Sequence, residues 1–101
     1  MKALNVMCVR VYQTEAEGKL EELLECLHDD KKVMGVTVYC GISGFGKYGR
    51  MHSSSLLDIS LNLPLVIEFF DTPEKIDSII SFRYPKLDPG HSVSWPATLY
   101  A

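Results

Sequence analysis

The segment Gly35–His52, GVTVYCGISGFGKYGRMH, decides how the rest of the chain is interpreted. Its first part, Val36–Ile42, is rich in β-branched and aromatic residues, as strands are. The remainder is a glycine-rich loop, and glycines let backbone N–H groups approach an anion closely. Lys47 and Arg50 add positive charge to that loop. The segment therefore predicts a strand that opens into a loop, where a phosphate-bearing ligand would bind.

Two phosphate-binding motifs match the spacing of these glycines but not the surrounding sequence. Residues 41–47 fit the first seven positions of a P-loop, but Tyr48 stands where a magnesium-binding Ser or Thr is required. Three glycines of the loop also match the dinucleotide fingerprint. Both motifs need a helix directly after the loop, and the serines at 53–55 are a poor helix start. We therefore expect the loop to join two strands, and a flexible loop without ligand is the alternative.

The residues before this segment predict one strand and one helix. Ala3–Tyr12 is an apolar, strand-like run, and Thr14 with Glu17 forms the capping box of a helix. That helix has a buried stripe at i, i+3, i+4 and i+7, formed by Leu20, Leu23, Leu24 and Leu27. The stripe predicts a helix that packs one face against the sheet.

The residues after the glycine loop predict further strands. Apolar and polar residues alternate over Leu57–Leu63 with a period of two. Pro64 interrupts this pattern, so a bend is expected there, and Leu65–Phe70 reads as the third strand of the fold.

A second helix and a closing strand complete the chain. Thr72 and Pro73 begin the helix, with proline at its first position. Its buried stripe is predicted to consist of Ile76, Ile79 and Ile80. The closing strand is Val93–Tyr100, and because Pro96 cannot donate a ladder hydrogen bond, this strand should lie at a sheet edge.

The predicted order is β-α-β-β-α-β, which is an α+β, ferredoxin-like sandwich with a glycine-rich loop after the second strand. With 101 residues, the chain is expected to form a single domain over residues 1–101. Both helices would cover one face of the sheet, but the strands are apolar on both faces. In the first strand the two apolar sets are Leu4, Val6 and Cys8 on one side and Met7, Val9 and Val11 on the other. Self-association is the simplest way to cover the second face.

Composition excludes several classes of protein. A formal net charge of −3 argues against general nucleic-acid binding, which needs an excess of Lys and Arg. No apolar stretch is long enough to cross a bilayer. Cys8, Cys26 and Cys40 are odd in number and lack metal-ligand spacing, which predicts small, buried, reduced thiols. We therefore expect a soluble, cytoplasmic protein without membrane insertion.

Candidates for catalysis or metal binding are few. His28, His52 and His91 lie too far apart in sequence to predict a metal site, and no nucleophile–base set stands out. His52 could contact phosphate, donate a proton or face solvent. Glu68 is a carboxylate among apolar strand residues and needs a partner, for which Arg10 on the first strand is the candidate. We therefore predict neither a catalytic residue nor a metal ligand.

Three segments together resemble one protein family. They are Gly35–His52, the run Ser60–Glu68 (SLNLPLVIE), and Asp71 followed by Glu74–Ile76. A glycine loop that ends in histidine, followed by Leu-Pro and an apolar strand with one glutamate, is specific as a combination. With the first strand and helix included, nearly the whole chain resembles the PII-like family catalogued as domain of unknown function 190.

The resemblance implies a ferredoxin-like subunit of a homotrimer. PII signalling proteins bind adenine nucleotides in clefts between subunits and act on a protein partner, so AMP, ADP or ATP is the expected ligand and no other cofactor is required. The carried-over residues for the phosphate side are Gly41, Gly44, Gly46, Lys47 and His52. Thr37 and Tyr39 are the candidates for the base or sugar.

The leading interpretation is a non-enzymatic, nucleotide-responsive regulator whose ligand orders the glycine loop at a subunit junction. The partner-binding loop of PII proteins looks short here, and their basic C-terminal element does not follow the last strand, so the protein partner is not implied. One alternative is a small enzyme that acts on a nucleotide or phosphate ester in the same cleft, with His52 as proton donor. Another is a purely structural trimer whose loop binds nothing.

Overall fold

The computed structural model describes residues 1–14, 20–41, 43–44, 52–53, 63–81 and 90–101. The elements in chain order are β1 Ala3–Thr14, α1 Leu20–Glu25, a π-helical turn Cys26–Asp30, β2 Gly35–Cys40, β3 Ser43–Gly44, β4 His52–Ser53, β5 Pro64–Asp71, α2 Pro73–Ser81 and β6 Ser92–Tyr100. The capping-box residue Glu17 and most of the alternating run Leu57–Leu63 lie outside the described residues.

Four long strands form one sheet in the order β2-β5-β1-β6, and every neighbouring pair is antiparallel. The short strands β3 and β4 pair with each other in a separate two-stranded sheet. Together with α1 and α2, this order confirms the ferredoxin-like α+β fold. It also confirms that the strand containing Pro96 lies at an edge, where a missing N–H donor costs no ladder hydrogen bond.

The core lies between one face of the sheet and the helices. Burial alternates along β5, as expected for a strand with one face against helices. The buried cluster consists of Val9, Val11, Leu23, Leu27, Leu65, Ile67, Phe69, Ile76 and Ile79. It draws on β1, β5, α1, α2 and the π-helical turn, so these elements are held together by a shared apolar interior.

The face of the sheet opposite this core, here called the second face, carries the alternate residues of the same strands. Its cross-strand rows bring together Cys8, Arg10, Val66, Glu68, Phe70 and Trp95. All six are partly exposed, in contrast to the buried residues that alternate with them. The second face therefore combines apolar side chains with one acid and one base.

The first helical region ends in the π-helical turn Cys26–Asp30. Lys31 N–H donates to the Cys26 carbonyl (2.9 Å) and Val33 N–H to the Leu27 carbonyl (3.0 Å), which satisfies the carbonyls of the first two residues of the turn. Lys32 follows with φ 49°, a left-handed conformation that favours glycine. These contacts end the turn before Gly35, which is the first residue of β2.

Three local predictions were wrong. Ile80 is 36% exposed, because the buried face of α2 is narrower than the isoleucine pattern suggests. Pro64 is the first residue of β5, since the first position of a strand tolerates the missing donor. Cys40 is exposed, whereas Cys26 is buried and Cys8 is intermediate, so the prediction of buried thiols does not hold for all three.

Within the described ranges, neither helix has the length and apolar character that a membrane span requires.

Candidate functional site

Two pairs of strands border the glycine-rich loop that follows β2, here called the glycine segment (residues 41–52). At the end of β2, Gly41 N–H donates to the Pro64 carbonyl (2.7 Å). Just beyond, Ser43 pairs with Ser53 and Gly44 with His52. The residues between β3 and β4 therefore connect two antiparallel strands. His52 and Ser53 lie in a strand, whereas the P-loop and dinucleotide motifs both need a helix directly after the loop.

The phosphate-side residues predicted from sequence are only partly described. Gly44 and His52 are direct backbone neighbours across β3 and β4. Gly41 lies at the base of the same segment, while Gly46 and Lys47 fall outside the described residues. Their proximity to a common ligand therefore stays a prediction.

Gly41 has a packing role that its sequence context did not suggest. A Cβ atom at this position would lie 2.7 Å from Pro64 Cγ, which is closer than real Cβ contacts allow. The absence of a side chain lets the chain leaving β2 pass directly against the first residue of β5.

The two residues predicted for the base or sugar lie on the second face. Thr37 is the cross-strand partner of Glu68, and Tyr39 is the partner of Val66. Both side chains are exposed, with 48% exposure for Tyr39. They lie on the edge strand β2, two to four residues before Gly41, so this edge runs directly toward the glycine segment.

A salt bridge occupies the middle of the second face. Arg10 Nε donates to Glu68 Oε1 (2.7 Å), and the two residues are direct cross-strand neighbours. The hydrogen bond with Glu68, followed by one with Tyr12, raises the pKa of Arg10 above its ordinary value, so the guanidinium stays charged. This pairing confirms the partner predicted for Glu68.

Trp95 is a residue of this cluster that sequence analysis missed. The Arg10 guanidinium lies 5.1 Å from the centroid of its ring, within range of a cation–π interaction. Trp95 is opposite Cys8 in the β1–β6 register. The signal was available, because an alternating closing strand puts its one tryptophan on a definite face of the sheet.

A groove of about 720 Å³ runs along the side of β2 that faces away from the second face, and the sequence did not predict it. Its lining includes Leu24, Leu27, Val36, Val38, His28 and Lys32. His28 Nδ1 is 2.7 Å from Asp29 Oδ1, and both side chains are largely exposed. Since Val36 and Val38 alternate with Thr37 and Tyr39, β2 separates this groove from the second face.

Among the described residues, no group of three or more His, Cys, Asp and Glu side chains is arranged to hold a metal ion. The thiols of Cys8 and Cys26 are less ionised at neutral pH than an ordinary thiol. Burial raises the pKa of both, and nearby Glu68 raises that of Cys8 further.

The sequence matches one family model, described as DUF190, Uncharacterized ACR, over residues 2–98. The chain belongs to the DUF190 family. A UPF0166 protein from Aquifex aeolicus (strain VF5) is 35% identical over 68 residues, which cover 67% of this chain and 69% of that protein.

Several solved structures share the fold of this DUF190 chain. CPII, a nitrogen regulatory PII-like protein from Thiomonas intermedia K12 bound to ADP, AMP and bicarbonate, aligns with a TM-score of 0.68 at 18% identity, covering 97% of this chain and 89% of that one. CPII bound to ADP and bicarbonate aligns with a TM-score of 0.64 at 19% identity and the same coverage. At these identities the alignments establish the PII-like fold.

Proposed function

We propose that this DUF190 protein is a PII-like, non-enzymatic regulator that binds an adenine nucleotide at the junctions of a homotrimer. The observation that supports this proposal most is that β2 leads directly into the glycine segment, where the short strands β3 and β4 pair with each other. In the same fold, CPII was solved with ADP and AMP bound.

In this proposal the ligand's phosphates bind to the glycine segment. Backbone N–H groups of Gly44 and Gly46 donate to phosphate oxygens, and Lys47 neutralises their charge. Gly41 permits the close approach of the strands at the base of the segment, and His52 is a further phosphate contact. Thr37 and Tyr39 contact the base or sugar from the exposed edge of the second face.

The second face is the proposed surface of contact between subunits. Val66, Phe70 and Trp95 supply partly exposed apolar area there, and the Arg10–Glu68 salt bridge pairs the two charges in its middle. A salt bridge formed within one subunit lets this face be buried without an unpaired charge. The exposed edge residues Thr37 and Tyr39 would then lie beside a neighbouring subunit, which turns an open edge into a cleft.

Thermal unfolding with and without AMP, ADP or ATP tests the proposal. A ligand at a hundredfold excess over its dissociation constant stabilises the folded state by about 2.7 kcal/mol. Each kcal/mol raises the melting temperature of a domain this size by about 4–8 °C. We expect a clear shift with at least one of these nucleotides.

Two lysine variants make the test specific to the glycine segment. Lys47→Ala should abolish most of the shift while leaving the assembly intact. Lys2→Ala is the matched control, since Lys2 is exposed and lies at the end of β1 that is far from the glycine segment. There its backbone pairs with that of Ala101. Equal shifts in the two variants would contradict the assignment of Lys47. If the wild-type protein converts the nucleotide and His52→Asn does not, the protein is instead an enzyme.

A further inference from the structure

Asp71 is a buried carboxylate at the point where β5 ends and α2 begins, with only 3% of the residue exposed. Its Oδ1 accepts from the Thr72 N–H (2.6 Å), and its Oδ2 accepts from the Met34 N–H (3.0 Å). The Lys75 ammonium lies 3.2 Å from the same Oδ2. One side chain therefore joins the start of α2 to the turn that enters β2.

Lys75 extends this connection to a second residue of the turn. Its Nζ donates to the Lys32 carbonyl (3.0 Å), and Lys32 has the left-handed φ of 49°. A non-glycine residue keeps such a conformation only where its surroundings fix it. Asp71, Lys75, Lys32 and Met34, here called the Asp71 junction, together determine the path of the chain into β2.

The position of β2 is also fixed one residue later. A Cβ atom on Gly35 would lie 2.5 Å from Phe70 Cε1, so β2 begins in close contact with β5. Thr37, a candidate ligand contact, lies three residues after Met34 and opposite Glu68. A displacement of the turn would therefore move the exposed edge that leads to the glycine segment.

Stability alone is a poor explanation for this arrangement. Burying a carboxylate costs solvation free energy, and a well-packed apolar side chain is often at least as stabilising. What the carboxylate adds is directional contact with two backbone N–H groups and one ammonium. Directional bonds specify where the turn lies, whereas apolar contacts are tolerant of small shifts.

We propose that Asp71 is a positioning residue for nucleotide binding: through Met34 and Lys75 it fixes the start of β2 and hence the edge that presents Thr37 and Tyr39. This inference rests on the proposed function. The residues of the Asp71 junction lie outside the glycine segment, and none of them contacts the ligand in the proposed function.

The test compares Lys75→Met with two controls. Lys75→Met removes the bonds to Asp71 and Lys32, whereas Lys75→Arg retains a charged donor. Ile79→Val is the matched control for stability, because Ile79 is buried on the same helix but takes no part in the junction. Loss of one methylene group in the core should lower its melting temperature without displacing the turn.

Two quantities are measured at a temperature where circular dichroism shows every variant folded. In ligand-free protein, amide hydrogen exchange over Gly35–Cys40 should be faster in Lys75→Met than in Ile79→Val. The dissociation constant for ADP should rise about fivefold or more in Lys75→Met, at the low end of couplings between distinct sites. Lys75→Arg should restore both values toward wild type.

Equal exchange and equal ADP affinity in Lys75→Met and Ile79→Val would overturn the inference. Asp71→Asn gives a second test, because its amide loses the ion pair with Lys75 in either orientation and turns its NH2 group toward the N–H of Met34 or of Thr72. Exchange over Gly35–Cys40 should again be faster than in Ile79→Val. If the wild-type protein binds no adenine nucleotide, the proposed function fails. The exchange comparison then still decides whether the junction positions β2.

Discussion

At the scale of single residues, the three cysteines differ in their access to water and in their electrostatic surroundings. Cys40 is exposed, Cys8 is intermediate and Cys26 is buried. Burial, followed by the charge of Glu68, raises the pKa of Cys8, while Arg10 lowers it by less. Burial is also the main cause of the raised pKa of Cys26.

These differences predict the order of alkylation. A raised pKa leaves less thiolate at a given pH, so Cys8 and Cys26 should react more slowly than Cys40 with a maleimide. Their rates should keep rising with pH beyond about 8.5, the ordinary thiol value. Glu68→Gln should lower the pKa of Cys8 and speed its reaction. Mass spectrometry of the labelled peptides gives the rates, and preferential labelling of Cys26 would contradict the packing described above.

Gly35 offers a test of the contact between β2 and β5. Gly35→Ala places a methyl group against the Phe70 ring and should destabilise the fold by about 1–3 kcal/mol, the usual cost of overpacking. Phe70→Leu removes part of that ring, so the added methyl should cost less in the double variant. Urea unfolding of the four proteins measures this coupling, and additive effects would indicate that the two side chains do not meet.

At the scale of elements, the hydroxyl group of Thr72 caps the start of α2. Thr72 Oγ1 accepts from the Lys75 N–H (3.3 Å), and Pro73 follows at the first helical position. Thr72→Ala should lower the free energy of unfolding by about 1 kcal/mol, the typical cost of losing an N-cap. Thr72→Ser retains the hydroxyl acceptor and should therefore keep most of the free energy of unfolding that Thr72→Ala loses. Equal urea midpoints for the alanine and serine variants would argue against the cap.

Elements with a repeating pattern or a proline were predictable from the sequence. The apolar run Leu65–Phe70 predicted the strand β5, Pro96 predicted the edge position of β6, and the isolated charge of Glu68 pointed to Arg10. The π-helical turn was not predictable, because it depends on the path of the chain between helix and strand. The groove beside β2 was missed for a related reason, since its lining comes from two elements that are separated in sequence.

The sequence indicated where a candidate site would lie, but it did not indicate the contacts around it. Its glycines predicted a loop between strands, and in the described residues β3 and β4 pair within that stretch, with Gly44 opposite His52. The Asp71 junction was not foreseen, because Asp71 contacts Met34 across 37 residues of sequence. Contacts of this kind depend on the register between β2 and β5, which local patterns do not specify.

At the scale of the whole molecule, the central expectation is that copies of the chain associate through the second face. Val66→Glu adds a charge among the apolar residues of this face, and it should reduce a trimer to monomers in light scattering. Ser94→Glu is the control, since Ser94 is exposed on the opposite side of β6, as the cross-strand partner of Val9. A wild-type monomer, or a trimer that survives Val66→Glu in folded form, would contradict this interface.

The most direct test of the whole account is an isothermal titration of the wild-type protein with ADP, repeated with Lys47→Ala and Lys2→Ala. We expect saturable binding at one site per chain, a much weaker interaction for Lys47→Ala and an unchanged one for Lys2→Ala. If neither ADP nor AMP or ATP binds to the folded, assembled wild-type protein, the proposal of a nucleotide-responsive regulator is wrong.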